Sequence, residues 1–257
     1  MLPVPHRVCA AARERVSDPG RLRLELRALL ADRSRDASVL ERLCVGVVSA
    51  LPVDGAAISV TTDAAVRGWY GASGPAAAHL DDFQFTLGEG PGWDAVRCGH
   101  PVLVGDVTGP AGHRWPMFTP AVLTAGFQAI FAFPLQIGAI RLGVLDLVCA
   151  RAGALDGDGL ADTLIVVDVV TLALIDTVAG DSHGPVDLLS GPGSDASGMY
   201  RAEIHQATGM VIAQLGVSAQ EALARLRAHA YAAGRTADEV ARDIVARRLR
   251  LDGDLLR

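Results

Sequence analysis

The sequence predicts an α+β protein: one antiparallel sheet with helices beside it, then a small all-α domain of three helices. Three observations lead there. Short apolar runs bounded by turn residues recur at 55–62, 66–72, 101–107, 129–136 and 142–149, helical apolar spacing brackets them at 21–32, 38–51 and 160–178, and helix-capping signals recur after residue 198. At 257 residues there is material for one sizeable core and a smaller second one. Half the residues are apolar and a fifth are charged, the balance of a folded chain and not of a disordered one.

Taken in order, residues 1–20 read as an N-terminal tail rich in proline. Residues 21–32 and 38–51 have helical spacing, with Val39, Leu40, Leu43, Val47 and Val48 on one face. The period then changes. GAAISVTT (55–62) and VRGWYGA (66–72), separated near Asp63, read as a β-hairpin. A short helical patch and GEGPGWD (88–94) lead to a strand PVLVGDV (101–107), and 108–120 reads as a loop from its Gly, Pro and aromatic content. Strands are expected at 129–136 and 142–149 with a turn at 137–141. Nearly every position in both is apolar, the pattern of strands covered on two faces. A helix at 160–178 closes a domain spanning 21–179. The run GDSHGPVDLLSGPGSDASG (180–198) is poor in core-forming residues and reads as a flexible linker.

The last domain, 199–257, is read from capping chemistry. A first helix covers 199–215, with Ile204, Ala207, Thr208, Val211 and Leu215 on one stripe, and Gly216 ends it. Ser218 to Glu221 and Thr236 to Glu239 are each a Ser/Thr-x-x-Glu capping box. They start a second helix, stopped by Gly234, and a third whose inward face is Val240, Ile244, Val245 and Leu249. Helices this short are stable only when packed on one another.

The net charge of -6 argues against a protein that coats nucleic acid with its whole surface. The charge is uneven, however: from Tyr200 onward nine arginines face seven acids, a local +2, which leaves -8 for the rest. There is no lysine, so every basic side chain is an arginine, a group that grips phosphate or a guanine edge in bidentate fashion. Cys9, Cys44, Cys98 and Cys149 lack ligand-like spacing, and the N-terminus lacks an apolar run of signal length. The apolar stretches 121–150 and 164–178 are broken by Pro134, Gln136, Arg141 and Asp146 and by Asp168 and Asp176, so no membrane span and a cytoplasmic location are expected.

GEGP (88–91) before a helix, PVLVGDV, and FPLQIGAIRLGVLDL (133–147) resemble the sensory GAF domain found in GAF and ANTAR fusion proteins, over about 21–179. HQATGM (205–210), EALARLRAHA (221–230) and EVARDIVARRL (239–249) resemble the ANTAR domain of bacterial transcription antiterminators. Ala207, Gly209, Ala222, Leu226, Arg227, Ala230 and Ala241 match that family's pattern. Thr208 departs from it, since lysine is common there. The resemblance implies a signal-responsive regulator that binds tandem RNA hairpins in nascent transcripts as a dimer, under control of the GAF domain. Loop bases would be read by side chains while arginines hold phosphates. The candidate RNA contacts are Arg201, Gln206, Ala207, Thr208, Gly209, Arg227 and Arg235, with Arg227 taken as a surface side chain.

Two other classes compete. Leu215-Gly216-Val217-Ser218 is a turn of the kind that joins the helices of a DNA-binding helix-turn-helix, although Ile212 stands where that motif usually has alanine. Some GAF-like domains reduce oxidised methionine with cysteines. Here Cys98 alone lies near the expected pocket, and Gly92 stands where many GAF and ANTAR fusions carry cysteine. No HxxxH metal-ligand spacing occurs, so no catalytic residue, metal or cofactor is expected. A small-molecule ligand of the GAF domain would be lined by Trp69, Trp93, Trp115, Phe127 and Phe131. Leu160, Leu164, Val167, Thr171, Leu174 and Val178 have the 4, 3 rhythm of a coiled-coil seam and predict a homodimer.

Overall fold

The computed structural model describes residues 18–31, 39–63, 66–180 and 199–251. Nearly all of the expected tail, and the expected linker from 181 to 198, lie outside them. Helices α1 (Pro19–Ala31) and α2 (Val39–Ala50) precede β1 (Gly55–Asp63) and β2 (Val66–Ala72). Then come α3 (Pro75–Leu87), α4 (Pro91–Cys98), β3 (Val102–Val104), α5 (Phe118–Thr124), β4 (Ala129–Ile137), β5 (Ile140–Cys149) and α6 (Gly157–Gly180). The five strands form one sheet in the order β2-β1-β5-β4-β3, with every pairing antiparallel.

The continuous apolar runs of β4 and β5 follow from helices on both faces. Ala129, Phe131, Phe133 and Leu135 point into a core shared with Leu22 and Leu26 of α1, Leu43 and Val47 of α2, and Val166 and Val170 of α6. Ile130 and Ala132, one residue out of phase, face the opposite side, towards α3, α4 and α5. Ile137 and Ile140 pair across a tight hairpin turn, where Gly138 has φ 56. Where β5 lies on β1, a Cβ at Gly143 would stand 2.1 Å from the Ser59 carbonyl oxygen, so the close approach of the strands needs glycine there.

Three expectations change. The strand at 101–107 shortens to Val102–Val104, because Gly105 lies against the backbone of Gly153 and Asp106 folds into a turn with Thr108. The expected loop 108–120 runs into α5, whose Pro120 is only its third residue and so occupies the first turn, where no helical hydrogen bond is lost. The coiled-coil seam on α6 is divided. Thr171 and Leu174 are buried, while Leu164 is 48% exposed; Leu172, which is not part of that seam, is 53% exposed, and the two leucines flank exposed Asp168.

The C-terminal residues form α7 (Met199–Leu215), α8 (Ala219–Ala232) and α9 (Ala237–Val245). Their core is Ile204, Ala207, Val211, Ala222, Leu226, Ala230, Val240, Ala241 and Ile244, closed at one end by Leu251. Four alanines in that set let the helix axes approach closely. Gly216 and Gly234 end α7 and α8 at φ 66 and 63. Thr236 and Glu239 make the full capping box. At Ser218 only half forms: its hydroxyl accepts from Glu221 N at 3.2 Å, while the Glu221 carboxylate is taken by Arg225 at 2.7 Å. α9 ends at Val245, short of the expected Leu249, and the chain reverses through Arg247 at φ 57.

Candidate nucleic-acid interface

The expected RNA contacts on α7 separate by burial. Gln206 and Gly209 are exposed, and space is open around Gly209, so a ligand backbone can come close there. Ala207 is fully buried beneath them and acts as packing. The Thr208 hydroxyl donates to the Ile204 carbonyl at 2.7 Å, so its hydrogen goes to the helix itself. Arg201 lies in the first turn of α7, and its side chain is outside the described residues.

Arg235 does not project freely. Its guanidinium donates to Asp243 Oδ2 at 2.7 Å and to the Glu239 carbonyl at 3.0 Å, pinning the end of α8 to α9. Asp243 also holds Arg248, and the hydrogen bond from Arg235, followed by that from Arg248, lowers the Asp243 carboxyl below its ordinary value. Arg242 pairs with Glu203 across α7 and α9 at 3.3 Å. Beyond α9 the side chains of Arg247 and Arg250 are exposed. These two are absent from the set read from sequence, although the run RRLR at 247–250 was a visible charge signal.

Arg227 is the clearest correction, for it is not a plain surface side chain. Its guanidinium carbon lies 4.4 Å from the centroid of Phe85 and 5.7 Å from that of Trp93, both on the N-terminal domain. Phe85 is 3% exposed and belongs to the core of the three C-terminal helices. Next to it, Thr86 Oγ1 accepts from the backbone N–H of Ala237, the first residue of α9, at 3.0 Å. The Tyr231 hydroxyl meets Met117 Sδ at 3.5 Å. The N-terminal and C-terminal parts therefore share an interface made by α3, Trp93 of α4 and Met117 with α8 and α9, and a short loop joins α3 to α4.

That loop is the run GEGP, and each of its residues has a task. Gly88, at φ 70, ends α3 and donates its N–H to the Gln84 carbonyl. Glu89 accepts from the backbone N–H groups of Met117 and Phe118 at 2.7 and 2.8 Å, capping α5 from a distance. Gly90, at φ 143, sits where a Cβ would stand 2.5 Å from Gln84 Oε1, and Pro91 opens α4. Gln84 is the hub. Its Oε1 accepts from Gly92 N at 2.7 Å, its Nε2 donates to Asp146 Oδ2 at 2.7 Å, and its carbonyl accepts from Trp93 Nε1 at 2.8 Å. A second buried pair, Ser59 Oγ donating to Asp81 Oδ1, lies on the same face of the sheet.

The candidate ligand-lining aromatics whose side chains are described do not converge. Trp115 and Phe127 are buried in one cluster on the α3 side of the sheet, and Phe131 is in the core on the other side. Trp115 donates Nε1–H to Asp94, which also binds Arg97 and Arg114. Trp93 faces the C-terminal domain, and Trp69 lies on β2 opposite Ser59 with its side chain outside the described residues. A groove of about 680 Å³ opens elsewhere, between α1, α6 and β4, with Arg23, Arg27, Gln136, Leu164 and Leu172 on its walls.

Three cysteines lie among the described residues. Cys44 and Cys149 are buried, with burial pushing the Cys44 thiol far above its ordinary range, while Cys98 is exposed at the end of α4. Among the described residues no group of three His, Cys, Asp or Glu side chains is placed to hold a metal ion, and no helix is long and apolar enough to cross a membrane.

In a comparison with protein families, residues 199–245 match the ANTAR domain. No curated protein matches the sequence. Similar solved structures include the GAF domain of a phosphoenolpyruvate-protein phosphotransferase from Coxiella burnetii, at 13% identity over 63% of this chain and 95% of that one, with a TM-score of 0.47. A free methionine-R-sulfoxide reductase from Neisseria meningitidis, in complex with its substrate, is 14% identical over 68% and 99% of the two chains, with a TM-score of 0.49. The phycocyanobilin-bound GAF domain of a cyanobacterial phytochrome is 12% identical over 65% and 98%, with a TM-score of 0.46. The fold is the α+β class read from the sequence: a five-stranded antiparallel sheet flanked by helices, followed by three helices of which residues 199–245 match the ANTAR domain.

Proposed function

We propose that this protein is a transcription antitermination regulator that binds hairpins in nascent RNA through its ANTAR domain, with the GAF-like domain as its sensor. The match of residues 199–245 to the ANTAR domain carries this reading. The exposed Gln206 and Gly209 on α7 offer a polar reader and an open approach, and exposed Arg247 and Arg250 beyond α9 offer phosphate-binding charge. In this reading the protein works in the cytoplasm, divides into units at 21–179 and 199–257 joined by 180–198, and acts as a homodimer. The exposed Leu164 and Leu172 of α6 favour that helix as the dimer contact.

A duplex-DNA reader is less favoured by the make-up of α8. The outward positions of this would-be recognition helix include Ala224, Ala228 and Ala232, which offer no hydrogen bond to a base edge, and Arg225 is engaged by Glu221. A thiol enzyme is disfavoured by Gly92 and by the separation of Cys98 from two buried cysteines. The deciding experiment is to sequence the RNA that co-purifies with the full chain, then to measure its binding against duplex DNA of the same sequence. Enrichment of paired hairpins, with affinity that falls steeply as salt rises, is the expected result. Preference for the duplex would replace this reading with the helix-turn-helix one.

A further inference from the structure

We propose that Arg227, held against Phe85 and Trp93, is the latch of an autoinhibitory contact by which the N-terminal domain withholds the ANTAR domain from RNA. The inference rests on the RNA-binding reading above and adds to it a mechanism of control. Three contacts carry it. The Arg227 guanidinium stacks on Phe85 at 4.4 Å with Trp93 at 5.7 Å, the Thr86 hydroxyl takes the N–H of Ala237, and Tyr231 of α8 meets Met117. Together they place the side of α8 that carries Arg227 and Tyr231, and the start of α9, against α3 and the loop region before α5.

Arg227 is a matching position of the ANTAR pattern and a cation suited to stacking on a base or gripping a phosphate. A guanidinium that lies over Phe85 cannot lie over a base at the same time. The docked and RNA-bound states therefore exclude each other at this residue, and apparent affinity for RNA falls with the fraction of molecules that are open.

The latch is also wired to the interior of the GAF-like domain. Trp93 is held through its indole N–H on the Gln84 carbonyl. The Gln84 side chain in turn ties the loop at Gly92 to Asp146 in the centre of the sheet. Any event that displaces Gln84 from Asp146 moves the residue against which Arg227 rests. This gives the sensor a mechanical route to the RNA-binding helices without a contact between ligand and RNA.

The test uses the full chain and two variants that act on the latch from the N-terminal side, leaving every ANTAR residue unchanged. Trp93→Leu removes one wall of the stack, and Thr86→Val removes the acceptor of the Ala237 N–H. Hydrogen exchange over α3 and α8 reads the latch directly, and filter binding to a tandem-hairpin RNA selected from the co-purifying pool reads its effect. Both variants are expected to lose protection over 84–88 and 224–232 and to bind RNA about tenfold more tightly than the parent, a change of about 1.4 kcal/mol. If protection is lost but the parent binds RNA as tightly as the variants, the contact is structural and the latch is refuted while RNA binding stands. If none of the three binds any RNA though protection is lost, the RNA reading itself fails and the latch with it. If either variant does not fold, the other decides; if both fold and protection persists in both, the latch is refuted.

Discussion

Thr86 Oγ1 accepts a hydrogen bond from the backbone N–H of Ala237 at 3.0 Å, joining residues 151 positions apart. Ala237 is the first residue of α9, where a helix has no carbonyl of its own to receive that proton. The N-terminal domain thus helps cap a helix of the C-terminal one, beside the capping box that Thr236 already makes.

Phe85 sits in the core of the C-terminal helices while belonging to α3. Phe85→Ala is expected to destabilise the docked chain by about 3–5 kcal/mol, the usual range for emptying a buried aromatic site. Differential scanning calorimetry should show a single transition in the parent splitting into two in the variant, because the domains lose their common core. A variant that melts in one transition at the parent temperature would contradict this.

Leu226 and Arg227 are neighbours with different tasks. Leu226 is fully buried among the three helices, so Leu226→Ala should lower the stability of the ANTAR domain by about 2–5 kcal/mol. Loss of helical circular dichroism on mild heating, with the sheet domain intact, is the expected signature.

The two helix starts should respond unequally. Thr236→Ala breaks a reciprocal box, and Ser218→Ala removes a single acceptance from Glu221. Substituting a capping residue costs about 0.5–2 kcal/mol, and Thr236 belongs at the upper end of that range. Amide exchange rates over 237–239 and 219–221 in the two variants would rank them, and equal effects would count against the difference seen in the caps.

Asp243 gives a pH dependence. Its carboxyl is lowered by the hydrogen bond from Arg235 and then by that from Arg248, so the pin between α8 and α9 is in place above the ordinary carboxylate range. It is lost as pH falls through the depressed folded value. Carboxyl carbon shifts followed by NMR should titrate Asp243 below the ordinary aspartate range, and Arg235→Gln should bring it back towards that range.

Leu164 and Leu172 offer the test of self-association. Replacing both with glutamate is expected to turn a dimer into a monomer by light scattering at micromolar concentration, with little change in melting, because both side chains are about half exposed. A parent already monomeric at that concentration would remove α6 as the dimer contact.

Much of the fold was legible because its signals are local. The apolar runs of β4 and β5 lay within two residues of their observed bounds, and Gly216, Gly234 and Thr236 marked helix ends through chemistry confined to a single turn. α5 was not legible, since Pro116 and Pro120 read as loop punctuation and its cap comes from Glu89, far back in the chain. The interface was hidden for the same physical reason. Nothing near Arg227 in sequence indicates that its partner is Phe85, and an arginine on an amphipathic helix is drawn outward by default until tertiary packing covers it. The division of the α6 seam also needed the sheet, for Leu164 and Leu174 look alike until one of them is placed against β4 or β5.

The three-layer plan of the first domain has an effect on how information enters the molecule. α6 covers one face of the sheet, and α3, with Phe85 and Thr86, covers the other. A second copy arriving at Leu164 and Leu172 would therefore meet a different face of the protein from the α3 and α4 side chains that hold Arg227. On the proposed function, concentration and chemical stimulus would be separable inputs, each addressing its own face of the sheet, and binding that needs two open copies at once would respond to their product.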